Sequence, residues 1–198
     1  MSDEIRKDDT EILIKKMAKK LFFGEGKFNA TTQEIADAAG VNRTLINYYF
    51  RSRDNLFNLV FEEAHLEEMK KSNAIVSSNL TFREKLEHFI DYSLKSSVNY
   101  PYLEIYLVTQ MNQGYVIEKP YDFDEINKQM EIEINKEIEK GNLMPISVTQ
   151  FIINLASLVS FPTCMRPLLQ KNLKLSNEEY DKILKERKDI ILKTIFKN

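Results

Sequence analysis

The chain has 198 residues, of which 43% are hydrophobic and 29% charged, and a formal net charge of −2. Such a composition suits an ordinary soluble globular protein of one or two small domains, and the charge does not advertise nucleic-acid binding. No apolar run reaches about 18 residues, so no membrane span is expected; the polar start MSDEIRKDDTE is no secretory signal, and the single cysteine, Cys164, excludes an internal disulfide framework. Together these features point to the cytoplasm.

No segment shows the apolar alternation of a half-buried strand, so the expected fold class is all-α. Nine helices are predicted, near 9–24, 32–39, 43–50, 53–74, 81–99, 101–113, 122–140, 147–171 and 176–196. Glycines fall between them. Gly24 and Gly26 close the first, Gly40 makes the turn after the second, and Gly114 and Gly141 follow the sixth and seventh. Thr31 with Glu34, Thr81 with Glu84, Ser147 with Gln150, and Ser176 with Glu179 have the spacing of N-terminal capping boxes. Pro101 sits at a helix start, where a missing N–H costs nothing. Pro162 and Pro167 should kink or split the eighth helix.

The most informative stretch is TTQEIADAAGVNRTLINYYFRSRDNL, residues 31–56. It reads as a short helix, a tight turn, a second short helix and the basic start of a third. Ala36 is small where two helices cross closely. Gly40 suits the left-handed end of the first helix. Ile35, Ala39, Val41 and Ile46 supply the apolar faces that hold the pair together. A helix-turn-helix of this kind places its second helix in the DNA major groove. Asn42 is the expected cap of that helix, which presents Arg43, Thr44, Leu45 and Asn47 near its start. Arginine can read guanine, asparagine can read adenine, and threonine or leucine can pack on a thymine methyl. The competing reading makes Leu45 partly core and Arg43 a phosphate contact. Residues 1–56 hold ten basic and nine acidic side chains, so placement matters more than the sum. Arg43, Arg51 and Arg53 bracket the second helix, with no acid between Asp37 and Asp54.

Together with ILIKKMAKKLF before it, this stretch resembles the DNA-binding domain of the TetR family of bacterial repressors. The matching residues are Gly26, Thr31 and Thr32, Ile35 and Ala36, Ala39 to Val41, Tyr49 and Phe50, then Arg53 and Leu56. The resemblance covers roughly residues 9–60. The chain departs from the family at Lys27, where an aromatic is common, and at Asn47, where tyrosine is common. The resemblance implies a helix-turn-helix DNA-binding domain at 1–56 and an effector-binding and dimerisation domain at 57–198. It adds Thr31, Thr32, Gln33, Tyr48, Tyr49 and Arg53 to the DNA contacts, as positions that fix register on the phosphates. The expected partners are double-stranded palindromic operator DNA, a second copy of the chain and a small-molecule effector, with no membrane and no cofactor. The expected function is ligand-responsive transcriptional regulation, as a repressor, without enzymatic activity.

In the second domain, the eighth helix, FIINLASLVSFPTCMRPLL, is apolar on more than one face and needs a partner beyond its own domain. Ala156, Ser157 and Ser160 allow close helix approach. The resemblance implies a four-helix dimer interface from the last two helices of each subunit. Phe151, Leu155, Val159, Tyr180, Ile183, Leu184, Arg187 and Ile191 are its candidates; a monomeric bundle core is the alternative. The family's effector pocket falls in helices five to eight. Phe89, Tyr92, Tyr106, Met111, Met130, Phe151, Phe161 and Met165 are candidates to line it, since methionine adapts to irregular ligands and tyrosine adds a polar handle. Plain core is the competing reading for each. Glu62-x-x-His65 has the spacing used in di-iron bundles but no second copy, so no metal site is expected. An all-helical enzyme and a helix-turn-helix that binds protein are the alternatives from other classes. A salt-dependent, sequence-selective shift of DNA separates the first reading from both.

Overall fold

The computed structural model describes residues 2–114 and 123–197. Among the described residues, ten α-helices follow one another: α1 Ser2–Lys19, α2 Thr32–Ala39, α3 Arg43–Phe50, α4 Arg53–Val76, α5 Phe82–Asn99, α6 Leu103–Asn112, α7 Phe123–Glu139, α8 Val148–Cys164, α9 Arg166–Leu173 and α10 Asn177–Ile195. Among the described residues the only β pairing is an isolated antiparallel bridge between Leu143 and Phe196. The expected start of the seventh helix at 122 lies outside the described residues. The helix after Lys19 widens into one π-helical turn, Lys20–Gly24, closed by Glu25 N–H on the Lys20 carbonyl at 3.0 Å.

The eighth predicted helix is two helices. α8 and α9 meet at a 71° bend. Pro167 has no N–H to give the Thr163 carbonyl, so the ladder cannot run through it. Pro162, inside α8, likewise leaves the Leu158 carbonyl without its helical donor. Arg187 on α10 fills that gap, donating from Nε (3.2 Å) and Nη2 (3.1 Å) to the Leu158 oxygen. Tyr180 Oη donates to the Pro162 carbonyl at 2.6 Å. The proline-broken end of α8 is thus completed by two side chains of α10.

The caps follow the expected residues. Thr31 and Ser176 form reciprocal boxes with Glu34 and Glu179. Thr81 exchanges hydrogen bonds with Glu84 in the same way. Ser147 accepts from the Gln150 N–H. Each cap satisfies amide groups that a helix start leaves without partners.

Two compact units share the chain. One takes it up to Lys70, with Asn99–Thr109; the other takes Lys71–Val98 and the chain from Gln110 on. The boundary expected after residue 56 therefore falls inside α4, whose residues belong to both units. The first unit is built on Ile14, Ala18, Phe22, Phe23, Ile35, Ala36, Ile46, Leu56, Phe57, Val60 and Phe61, all buried. The second is built on Phe82, Leu86, Ile90, Ile134, Leu143, Phe151, Leu155, Val159, Ile191, Leu192 and Phe196. Lys85 of α5 pairs with Glu133 of α7 at 2.7 Å. Buried Glu137 accepts from Lys140 and from Asn142 Nδ2, both at 2.6 Å. Those two donors hold its carboxyl below the usual glutamate range.

Among the described residues, no single helix is long and apolar enough to cross a membrane.

Candidate nucleic-acid interface

The helix-turn-helix is assembled from local rules. The Thr31 box starts α2, and Gly40 ends it at φ +65°, with Val41 N–H bonded back to the Ala36 carbonyl at 3.0 Å. Nothing lies within 4 Å of where a Gly40 Cβ would stand, so conformation alone favours glycine there. Asn42 caps α3, its Oδ1 accepting from the Thr44 N–H at 2.9 Å and from the Thr44 hydroxyl at 2.7 Å. Ile35, Ala36, Ala39, Ile46 and Phe50 are buried between the helices.

What α3 leaves outward is specific. Arg43, Thr44, Asn47 and Tyr48 are exposed, while Leu45 and Tyr49 are half-buried. Tyr48 stands edge-on to Tyr49, ring centres 5.1 Å apart. The Thr44 hydroxyl is engaged by the cap, which leaves its methyl as the apolar face. Arg43 reaches back to α2, donating from Nε to the Thr32 hydroxyl at 2.9 Å. Gln33 donates along its own helix to Asp37 Oδ1 at 2.7 Å. The Thr31 hydroxyl is spent on Glu34, which it both donates to and accepts from. The Thr31 amide and hydroxyl hold the Glu34 carboxyl below its ordinary range.

Arg53 is turned inward. Its guanidinium lies over the rings of Phe22 (5.2 Å) and Phe57 (4.9 Å). Nε donates to the Ala30 carbonyl at 3.2 Å and Nη1 to Asp54 at 3.0 Å. Nη2 is buried with no hydrogen-bond acceptor. The side chain is only 26% exposed, so Arg53 braces the unit from within. The family resemblance implies a phosphate contact for Arg53; here the rings that engage it come from Phe57, one turn on in α4, and from Phe22, 31 positions earlier.

Gly26 carries a second constraint. It sits at φ +70°, and an added Cβ would lie 2.9 Å from the Tyr102 ring. Tyr106, next on that helical face, packs among Phe23, Phe28, Phe57 and Phe61 at centroid distances of 5.0–6.0 Å. Its hydroxyl is pushed above the usual tyrosine range by burial. Tyr106 therefore belongs to the unit that carries the helix-turn-helix, where it also lines a cleft with Phe28, Arg53 and Phe57. Sequence spacing could not reveal this, because the contacts join α6 to residues about fifty to eighty positions earlier.

The remaining pocket candidates are scattered through the second unit. Phe89 and Met130 are half-buried against its core, and Phe151 is buried within it. Tyr92 lies under the Lys71 ammonium at 5.0 Å, Met165 is half-buried, and Met111 and Phe161 are about half exposed. A groove of about 500 Å³ runs along Leu143, Pro145, Phe151, Asn154, Leu158 and Ile195, and of the candidates it takes in Phe151. The interface candidates divide sharply. Phe151, Leu155, Val159, Tyr180, Leu184 and Ile191 are buried inside their own chain, and Arg187 is engaged with α8, whereas Ile183 is exposed. A side chain already buried in its own subunit adds no area to an interface. The apolar residues facing outward on these helices are Ile153, Phe161, Ile183 and Ile190. His65, the histidine of the Glu-x-x-His spacing, stacks on Phe61 with its Nε2 buried and lacking a hydrogen-bond partner.

Residues 14–60 match the model of the bacterial regulatory proteins of the tetR family. No curated protein sequence matches the chain. Among solved structures, a TetR family transcription regulator from Marinobacter aquaeolei VT8 is similar at 13% identity and a TM-score of 0.57, over 98% of this chain and 100% of that one. A TetR transcription regulator from Haloarcula marismortui is similar at 16% identity and 0.57, over 96% and 100%. A gamma-butyrolactone receptor described as ArpA-like is similar at 15% identity and 0.56, over 95% and 99%. Residues 14–60 thus carry the DNA-binding domain of the tetR family of bacterial regulatory proteins, and nearly the whole chain shares the fold of solved TetR family regulators.

Proposed function

We propose that the protein is a ligand-responsive repressor that binds a palindromic operator as a homodimer in the cytoplasm, acting by binding and without catalysis. The observation that carries this reading is the outward face of α3. Arg43, Thr44 and Asn47 are exposed near the start of a well-capped helix on a rigid helix-turn-helix. Their chemistry suits guanine, thymine methyl and adenine edges. Thr32, Gln33, Tyr48 and Tyr49 would hold the phosphates around it, with Arg53 supporting the unit from inside.

A palindrome requires two reading heads about 34 Å apart or a further whole turn of DNA. The outward stripe of Ile153, Ala156, Ser157 and Phe161 on α8, with Ile183 and Ile190 on α10, supports dimerisation through these helices. Small residues in the stripe permit close approach, and the isoleucines supply apolar area. α4 and α6 each contribute residues to both compact units. An effector held in the second unit would act by favouring one of two conformations, as differential affinity requires. The receptor similarity noted above supports a small organic effector as its class.

The test is binding of the purified protein to its own upstream DNA, followed by a thermal-shift ligand screen and release of the DNA by any hit. Sequence-selective, salt-dependent binding is expected. Equal affinity for operator and random duplex would refute the reading.

A further inference from the structure

We propose that Thr32 is a positioning residue for base readout, holding the Arg43 guanidinium in the orientation that reads a guanine. The inference rests on α3 being the recognition helix. It adds a specificity role for a residue on α2, where the family pattern would give only a phosphate contact.

The geometry is simple. Arg43 is the first residue of α3 and Thr32 the first of α2. The turn between them brings Arg43 Nε within 2.9 Å of Thr32 Oγ1. A guanidinium has five N–H donors in one plane. The Thr32 bond uses the single hydrogen on Nε and fixes that plane. The two terminal nitrogens remain as the fork that guanine O6 and N7 accept from. An exposed arginine has large rotamer freedom, and binding must otherwise immobilise it. Here one bond to a neighbouring helix removes part of that freedom before DNA arrives.

The threonine hydroxyl has a donor side as well. While its oxygen accepts from Arg43, its hydrogen is available to a phosphate oxygen. One hydroxyl would then join a backbone contact to a base contact. The neighbouring hydroxyls are engaged elsewhere, Thr31 with Glu34 and Thr44 with Asn42, so the pairing is particular to Thr32.

The test compares Thr32→Val, Thr32→Ala, Thr32→Ser and Arg43→Ala in selections from a randomised half-site library, with affinity for random duplex as the control. Arg43→Ala locates the base that Arg43 reads. Thr32→Val keeps the side-chain shape but removes the acceptor, and should lower discrimination at that same base by about tenfold. Thr32→Ala gives the same readout if the valine variant fails to fold. Thr32→Ser restores the acceptor and should restore the preference. If Thr32→Val and Thr32→Ala weaken all sequences equally and leave the preference intact, Thr32 only holds phosphate and the proposal falls. If Arg43→Ala changes preference at no base while the wild type stays selective, the proposal also falls, though the DNA-binding reading stands. A wild-type protein without sequence selectivity would overturn both.

Discussion

The bond between Arg187 and the Leu158 carbonyl lends itself to a double-mutant cycle. Pro162 lacks an N–H, so Leu158 oxygen, four residues earlier, has no helical donor. Arg187 supplies two bonds in its place, at 3.2 and 3.1 Å. Replacing Arg187 with Met keeps most of the apolar stem but leaves a partly buried carbonyl without a partner. Hydrogen bonds to charged groups contribute about 1.5–3 kcal/mol, and a stranded buried acceptor costs about 1–3 kcal/mol. Arg187→Met should therefore destabilise by about 2 kcal/mol. Pro162→Ala returns the missing N–H and lets α8 satisfy Leu158 internally. In that background Arg187→Met should cost only about 0.5 kcal/mol, giving a coupling of about 1.5 kcal/mol. Urea unfolding followed by circular dichroism measures all four proteins. Protomer concentration must be constant, because self-association shifts apparent stability. Equal costs of Arg187→Met in both backgrounds would show that Pro162 is not the reason Arg187 is bonded there.

Three further outcomes are expected. Gly26→Ala should destabilise more than Gly40→Ala: both impose a left-handed conformation costing about 1–2 kcal/mol, but only Gly26 also drives a Cβ into the Tyr102 ring; equal melting points would remove the ring contact from the account. Burial pushes the His65 imidazole below its ordinary value, with Glu68 opposing. Its contribution is therefore fully present above the unfolded value of about 6.5 and is lost as pH falls from there toward the depressed folded value. His65→Leu should remove that step in an unfolding series while leaving the loss below about pH 4.5 that arises from Glu34, Glu84, Glu137 and Glu179, whose carboxyls are held low. Finally, Ile153→Glu or Ile183→Glu should yield a folded monomer by light scattering, because both residues are exposed. Leu155→Glu and Ile191→Glu should instead unfold the subunit, because both are buried; folded dimers from the first pair would move the interface elsewhere.

The sequence by itself determined what is local. The bounds of α2 and α3, the Thr31, Thr81, Ser147 and Ser176 caps, the left-handed Gly40 and the disruption of the eighth helix by Pro162 and Pro167 all follow from interactions within about five residues. Such interactions depend on side-chain type and spacing alone. The outward set on α3 was legible for the same reason, since a short helix between two buried positions leaves few faces open. Only the tertiary structure decided the rest. Arg53 looked like a surface cation beside α3, yet Phe22, Phe57 and the Ala30 carbonyl draw it inside. Tyr106 is grouped by sequence with candidates on the later helices, and packing sets its ring among four phenylalanines of the first unit. In α8 and α10 apolar residues occupy several faces, so periodicity could not say which face turns inward. Packing chose Phe151, Leu155, Val159 and Ile191 for the core and left Ile153, Phe161, Ile183 and Ile190 outside. The physical reason is that burial depends on what arrives from distant parts of the chain, and a helix with two apolar faces carries no local mark of which will be met.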